Sequence, residues 1–341
     1  MTFLKNAWYP AAWNEKLAED PLAIRILDDP IVLFRESTGK VCALYDACPH
    51  RFAPLSLGKV KDGAVVCGYH GLEFDGTGNC IRNPHGKGTI PKALGVRAYP
   101  TAERYGMIWV WAGEADLADE DLLPSFPIMD DENFSWVFGE LEVSANYELV
   151  IDNLLDLTHV EFLHPLLASE GGSQRTTFRS EHDGDTVSAF YETKDEAITG
   201  LFQLLWENEE KTATIRADMH WQPPTYFELE TSMGVHAEFD ENDARVPVLH
   251  LLTPQSEDST RYFWAAGRNR AHGNEEVAGM LHFGIQAAFV NEDEPMIKAV
   301  RSRMSSNDLF AHKPALLPWD EAGVRARRVL AKLIAAEQKG K

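Results

Sequence analysis

The sequence contains Cys48-Pro49-His50 and, after sixteen intervening residues, Cys67-Gly68-Tyr69-His70. Each of these two segments places one cysteine close to one histidine. The proline and the glycine beside the cysteines favour tight turns over a helix or a strand. Each segment therefore presents one thiolate and one imidazole on a turn, and the two segments together can hold one metal group.

The chemistry of these four side chains predicts an iron–sulfur cluster. Two cysteines on one iron and two histidines on the other are the ligands of a Rieske [2Fe–2S] centre, whose potential is about −150 to +300 mV. A structural zinc site with two cysteines and two histidines is the alternative. The order here disfavours zinc, because zinc fingers usually carry a cysteine pair followed by a histidine pair.

Composition limits the possible partners and the location of the protein. The chain has 341 residues, enough for two domains of about 100–200 residues each. Its net charge of −21 would repel polyphosphate surfaces, so neither nucleic acid nor an anionic membrane is an expected partner. The sequence has no apolar run of about 18 residues and no signal peptide, so we expect a cytoplasmic protein without a membrane span.

The pattern of predicted elements changes along the chain. Short strand-like runs separated by turns predict a small β-rich domain over residues 1–113, and an acidic linker with prolines begins the second domain, residues 114–341. The second domain alternates strand-like runs between predicted helices over Tyr147–Leu163, Glu275–Met304 and Asp320–Gln338. This order predicts an α+β fold in which helices cover one face of an antiparallel sheet.

A second candidate metal site lies in the first of these helices. Asn153, Asp156 and His159 are spaced by three residues, which places them on one side of a helix. Pro165 pushes His164 out of the α region, so the helix should end there and the His164 ring can turn back toward His159. Two imidazoles and one carboxylate form the facial triad of non-haem iron(II) oxygenases.

The carboxylate must come from elsewhere, and Asn291-Glu292-Asp293-Glu294-Pro295 is the candidate segment. Helical periodicity places Glu292 near the middle of the apolar face and Asp293 toward its edge, whereas Glu294 points away. The pattern alone therefore leaves Glu292 and Asp293 both open.

These motifs resemble those of the Rieske non-haem iron oxygenases that act on aromatic rings and aryl methyl ethers. Within that family, the sequence resembles the oxygenase components of vanillate O-demethylase and dicamba monooxygenase. The likeness covers most of the chain, in the following segments: Asn6–Tyr9, Cys48–Ser56, Gly68–Glu73, Glu103-Arg104, Ile108–Trp111, Asp152–His159, Leu252–Pro254 and Arg268-Asn269.

The resemblance implies an N-terminal Rieske domain, a C-terminal helix-grip (START-like) catalytic domain and a head-to-tail homotrimer. It assigns four residues to the cluster: Cys48, His50, Cys67 and His70. It assigns His159, His164 and Asp293 to the mononuclear iron. Asp156 would bridge His159 to a cluster histidine of a neighbouring subunit, and Asn153 would lie beside the iron.

The implied activity is that of a terminal oxygenase, which uses O₂ and electrons that pass from NAD(P)H through a separate reductase, a ferredoxin or both. No nucleotide or flavin motif is present in this sequence. The expected reaction hydroxylates the methyl group of a small methoxylated aromatic acid and releases formaldehyde. The alternatives are a methyl or ring hydroxylase or dioxygenase, and a non-enzymatic electron carrier, which would need no second iron site.

The expected substrate pocket combines helix residues with residues from the sheet and from the long helix. The candidates are Leu154, Leu157, His250, Phe283, Gly284 and Ile285. His250 matches a histidine that contacts substrate in dicamba monooxygenase. Gly284 stands where that enzyme has a pocket tryptophan, so a larger or differently shaped pocket is expected here.

Overall fold

The computed structural model describes residues 3–236, 240 and 242–340. It divides the chain into two compact units. The first comprises Met1–Leu123 with Thr253–Ser256, and the second comprises Pro124–Leu252 with Glu257–Lys341. Within the described residues, no helix is both long enough and apolar enough to span a membrane.

The first unit is built from eleven short strands in three antiparallel sheets, ordered β1-β11-β10, β2-β3-β4-β9 and β5-β6-β7-β8. The strands are β1 Trp8–Trp13, β2 Leu22–Ile26, β3 Asp29–Arg35, β4 Val41–Tyr45, β5 Lys59–Lys61, β6 Ala64–Val66, β7 Glu73–Phe74, β8 Cys80–Arg82, β9 Ala98–Tyr99, β10 Thr101–Arg104 and β11 Met107–Trp111. The β-rich character predicted for this part of the chain is confirmed.

The two cysteine–histidine segments lie in loops of this unit, one between β4 and β5 and the other between β6 and β7. Their cysteines, Cys48 and Cys67, are buried in a hydrophobic cluster that also contains Phe34, Leu55 and Phe74. Close packing of this cluster fixes the base of both loops, because interiors pack at nearly crystalline density. None of the four cysteines forms a disulfide.

The second unit is organised around a seven-stranded sheet in the order β12-β18-β17-β16-β15-β14-β13. Its strands are β12 Ser135–Val143, β13 Thr176–Asp183, β14 Thr186–Ala197, β15 Thr212–Gln222, β16 Tyr226–Gly234, β17 Ala244–Ser256 and β18 Ser259–Arg268. Its helices are α1 Tyr147–Leu155, α2 Val160–Leu163, α3 Glu275–Ala287, α4 Glu294–Arg301 and α5 Glu321–Lys339. The predicted α+β arrangement is confirmed.

Two predicted helices are interrupted at the candidate iron site. The helix expected over Tyr147–Leu163 breaks at Asp156, whose φ of −117° and ψ of 92° are not helical. The long helix expected from Glu275 contains a π-helical turn, Ala288–Asp293, between α3 and α4. Pro295 follows directly in α4; it has no N–H for the i→i−4 bond, and a local change in helical pitch accommodates that loss.

Gln286 connects α3 to two strands of the sheet. Its side-chain oxygen accepts a hydrogen bond from Trp264 Nε1 at 2.8 Å, and its Nε2 donates to the Glu140 carbonyl at 3.1 Å. The Trp264 indole lies over Gly139, where a Cβ atom would come within 2.3 Å of the ring. These contacts fix the position of α3 on β12 and β18, and with it the start of the π turn.

Arg327 of α5 fixes the position of α1. Its Nη2 donates to Asp152 Oδ2 at 2.7 Å, and its Nη1 donates to Glu148 Oε2 at 2.6 Å. The Arg327 side chain is only 4% exposed, whereas the two carboxylates are about a quarter exposed. A buried cation thus offsets the repulsion between two acidic side chains on the helix that leads to the iron site.

We expect the Arg327→Met variant to lower the free energy of unfolding by about 3 kcal/mol, because it leaves the carboxylates of Glu148 and Asp152 without their cation. Thermal or urea denaturation measures the change. Arg328→Met is the matched control, since Arg328 is exposed on the same helix. Equal stability of the two variants would contradict this role.

Candidate metal centres and substrate cavity

The two cysteine–histidine loops have the same backbone hydrogen bonds. Cys48 N donates to the carbonyl of Ala53, and Cys67 N donates to that of Leu72. Phe52 N returns a bond to Cys48 O, as Gly71 N does to Cys67 O. The matched residues Phe52 and Gly71 both have positive φ, +58° and +71°. Two loops with the same backbone conformation are suited to binding one metal cluster from opposite sides.

The four predicted cluster ligands are brought together at the tips of these loops. The thiols of Cys48 and Cys67 interact electrostatically, and the rings of His50 and His70 are 4.6 Å apart between centroids. Burial raises the pKa of the Cys48 thiol to about 11. A buried thiol pair of this kind ionises only with a compensating cation, and iron supplies that charge.

The mononuclear site lies between the segment that follows α1 and the π turn that precedes α4. His159 closes a 3₁₀ turn over Leu157–His159, and His164 ends α2 with a φ of −118°, so the predicted break before Pro165 is confirmed. The π turn directs the Asp293 side chain inward, and this residue is only 5% exposed. π turns of this kind are frequent at functional sites.

The three predicted iron ligands face one another. His159 Nε2 and His164 Nε2 are 3.2 Å apart. Asp293 Oδ1 lies 3.5 Å from His159 Nε2, and Asp293 Oδ2 lies 3.3 Å from His164 Nε2. One ligand atom from each residue lies within 4.8 Å of the others, and this donor set suits non-haem iron(II) with open coordination positions.

Neighbouring groups fix the orientation of each ligand. His164 Nδ1 donates to Glu292 Oε2 at 2.7 Å, and His159 Nδ1 donates to the carbonyl oxygen of Asp156. Both rings therefore present Nε2 to the metal position, as oriented metal-binding histidines do. Asn153 Nδ2 donates to Asp293 Oδ1 at 3.0 Å, so Asn153 lies beside the site as expected.

Electrostatics distinguish the two histidines. Burial lowers the pKa of His159, which keeps its imidazole neutral and available as a ligand. Burial also acts to lower the pKa of His164, but the carboxylates of Asp293 and Glu292 outweigh it and raise that pKa. Asp156 meets His159 through its backbone carbonyl, whereas its side-chain Oδ1 accepts hydrogen bonds from Thr158 N and Oγ1 at 2.9 and 2.6 Å.

The triad opens on a cavity of about 880 Å³. This volume lies within the range of about 300–1,000 Å³ found for small-molecule sites. The apolar side chains that line the cavity include Leu157, Leu201, Met219, Val248, Ile285 and Phe289. The iron ligands are thus placed at the wall of a largely apolar chamber.

Four of the six predicted pocket residues line this cavity: Leu154, Leu157, His250 and Ile285. Phe283 and Gly284 do not. Phe283 is 74% exposed on the outer side of α3. Gly284 is buried, and a Cβ atom there would lie 2.6 Å from a methyl carbon of Leu201, so Leu201 fills the space that a larger side chain would take.

Several residues near the site escaped prediction. Helical periodicity left Glu292 open as a ligand, but the structure places it behind the His164 ring. Pro295, a proline inside a long helical pattern, is the sequence signal that could have indicated the π turn. Tyr262 Oη lies 2.5 Å from His250 Nδ1. Trp319 lines the cavity from the 3₁₀ helix Pro318–Asp320 before α5, and no pattern in the sequence points to it.

Comparisons with known proteins agree with this geometry. Residues 7–100 match the Rieske [2Fe–2S] domain, and residues 143–336 match the vanillate O-demethylase oxygenase C-terminal domain. The chain is 36% identical to the dicamba O-demethylase oxygenase component of Stenotrophomonas maltophilia, over 98% of both chains. The chain belongs to the Rieske non-haem iron oxygenases.

Two further comparisons extend this assignment. The chloroacetanilide N-alkylformylase oxygenase component of Rhizorhabdus wittichii is 33% identical, over 99% of this chain and 98% of that protein. A crystal structure of dicamba monooxygenase bound to 3,6-dichlorosalicylic acid superposes with a TM-score of 0.94, at 35% identity and 99% coverage of both chains.

As a Rieske oxygenase component, the chain carries a [2Fe–2S] cluster and a mononuclear non-haem iron. Components of this type depend on a separate reductase or ferredoxin and act on aromatic substrates. The two donor sets described above, one in each unit, fit these two groups.

We expect the Glu292→Ala variant to lower the iron(II) affinity of the triad roughly 10–100-fold, because it removes the partner that orients the His164 ring. The measurement is the iron retained against a chelator, with the cluster absorbance as an internal standard. Glu276→Ala, an exposed change on α3, serves as the control. Unchanged iron retention by Glu292→Ala would show that the hydrogen bond does not orient the ligand.

Proposed function

We propose that this oxygenase removes the methyl group of a small aryl methyl ether. One oxygen atom of O₂ enters a methyl C–H bond, and the other is reduced to water with two electrons and two protons. The resulting hemiacetal separates into a phenol and formaldehyde. The electrons come from NAD(P)H through a separate reductase, and the bound iron supplies the activation of O₂ that an organic side chain cannot.

The observation that carries this proposal is the opening of the facial triad onto the apolar cavity. Only part of the coordination sphere is provided by His159, His164 and Asp293, so positions remain for O₂ beside a bound substrate. A non-enzymatic electron carrier would need neither feature. The relatives named as dicamba and vanillate O-demethylase components support demethylation as the reaction.

The protein's own residues contribute positioning and solvent exclusion. His164 and His159 are held with Nε2 toward the metal by Glu292 and by the Asp156 carbonyl, and Asn153 restrains Asp293. The apolar side chains around the triad exclude water from the methyl group that reacts. This exclusion limits the loss of reducing equivalents to solvent.

We also propose that residues 1–113 and 114–341 act as electron-transfer and catalytic domains in a cytoplasmic, head-to-tail homotrimer. In this assembly, Asp156 would connect His159, which donates to its carbonyl oxygen, to a cluster histidine of a neighbouring subunit through its carboxylate. The half-buried carboxylate of Asp156 supports this role, because only its Oδ1 is held by Thr158 and a second oxygen remains for another partner. The division of the chain into two compact units is consistent with the two domains.

The direct test supplies iron-loaded protein, a reductase and NADH with a panel of methoxylated aromatic compounds. We expect formaldehyde and the matching phenol in equal amounts. His159→Ala should abolish both products, because it removes an iron ligand, whereas the exposed control His312→Asn should retain them. A hydroxylated product that keeps its methoxy group would instead support the ring-hydroxylase alternative.

We expect the Asp156→Asn variant to keep both metal groups but to turn over roughly 10–100-fold more slowly. The amide retains an oxygen that can accept the Thr158 hydrogen bonds and removes the charge between the redox centres. Stopped-flow absorbance of the reduced cluster measures its oxidation by O₂ in the presence of substrate. Wild-type cluster oxidation in this variant would contradict the proposed electron path.

A further inference from the structure

We infer that the preferred substrate of this cavity is an uncharged aryl methyl ether whose ring carries one hydrogen-bonding group for His250. This inference rests on the proposed demethylation and refines its substrate class. It departs from the aromatic acid that the family resemblance suggests, and three features of the cavity carry it.

The first feature is the charge of the cavity wall. Among the described residues that line the cavity, none is a lysine or arginine, whereas Glu161 and Asp293 are acidic, as is Glu196, which is paired with Arg175. A carboxylate substrate would therefore lose its hydration without meeting a cationic side chain, which is strongly unfavourable in a buried site. The charge of iron(II) bound at the triad would be offset by Asp293, one of its ligands, and by Glu292, which contacts His164.

Arg175 lies in the segment whose neighbouring residues line this wall, and its side chain is already paired. Arg175 Nη2 donates to Glu196 Oε2 at 2.8 Å, and its Nη1 donates to the Gly171 carbonyl at 2.9 Å. Glu196 also accepts a hydrogen bond from Ser169 N at 2.6 Å. These bonds fix the segment that forms one wall of the cavity, so the Arg175 guanidinium is not available to pair with a substrate carboxylate.

The second feature is the polar atom that remains inside the cavity. His250 is 3% exposed, and its Nε2 is buried without a hydrogen-bond partner among the described residues. Its Nδ1 is occupied by the Tyr262 hydroxyl. Burial lowers the pKa of His250 to about 3, so the ring is neutral at neutral pH.

A neutral His250 can make one hydrogen bond to the substrate through Nε2. Nε2 is a donor when Tyr262 donates to Nδ1 and an acceptor when Nδ1 carries the proton, so the conclusion holds for both tautomers. A phenol hydroxyl or a carboxamide can satisfy either case. A carboxylate has two charged oxygens to satisfy, and His250 offers it at most one hydrogen bond.

The third feature is the apolar wall that Leu201 forms where it packs against Gly284 of α3. Methyl carbons of Leu201 occupy the space beside the Gly284 backbone. Leu201 therefore gives this part of the cavity wall an apolar surface without a hydrogen-bond donor.

The test compares methoxybenzamides with the matching methoxybenzoates at each of the three ring positions. The two members of a pair have nearly the same shape and differ in charge. Titration calorimetry on the iron-loaded protein should give an affinity for the best amide at least roughly tenfold higher than for its benzoate. Equal or tighter binding of the benzoates, or no binding by any pair, would overturn the inference.

Formaldehyde measured for the same pairs separates this inference from the proposed reaction. Formaldehyde released mainly from benzoates would refute the charge preference and support demethylation. Preferential amide binding with no formaldehyde from any compound would support the charge preference and refute demethylation.

Variants at His250 test the hydrogen bond itself. His250→Leu should weaken binding of the best amide about tenfold and leave binding of methoxytoluene unchanged. His250→Gln, which retains a hydrogen-bonding group, should recover part of the loss, and circular dichroism checks the folding of both. Equal weakening for the amide and for methoxytoluene would show a structural role only and contradict the assigned contact.

Discussion

The candidate active site depends on one constraint: a carboxylate on a helix must meet two histidine nitrogens that come from the broken end of another helix. The π turn Ala288–Asp293 satisfies it by changing the helical pitch just before Pro295. This change directs Asp293 toward the two Nε2 atoms and leaves Glu292 behind the His164 ring. Adjacent carboxylates thereby take different roles, one as a ligand and one as the partner that orients a ligand.

The same turn joins the iron site to the substrate cavity. Phe289 lies within it, lines the cavity and packs against the His250 ring, with centroids 5.9 Å apart. Gln286, one turn earlier, attaches the helix to β12 and β18. The sheet therefore fixes Asp293, a metal ligand, relative to Phe289, which lines the cavity. A fixed geometry of this kind is what catalysis by orientation requires.

Much of this arrangement could be predicted from the sequence, because local signals encode it. The two cysteine–histidine segments carry their own turns, and Pro165 alone indicates the break that frees His164. The choice between Glu292 and Asp293 could not be made from periodicity, since it depends on a π turn that an ideal helix lacks. Phe283 and Gly284 were expected at the pocket, but packing decides both positions: Phe283 lies on the outer side of α3, and Leu201 fills the space beside Gly284.

The central claim is that one chain holds two different iron centres. Electron paramagnetic resonance of the dithionite-reduced protein, combined with metal analysis, tests it most directly. We predict a Rieske signal together with about three irons per chain, two in the cluster and one at the triad. Zinc in place of iron, with no Rieske signal from protein purified under iron-sufficient conditions, would contradict the assignment of both sites.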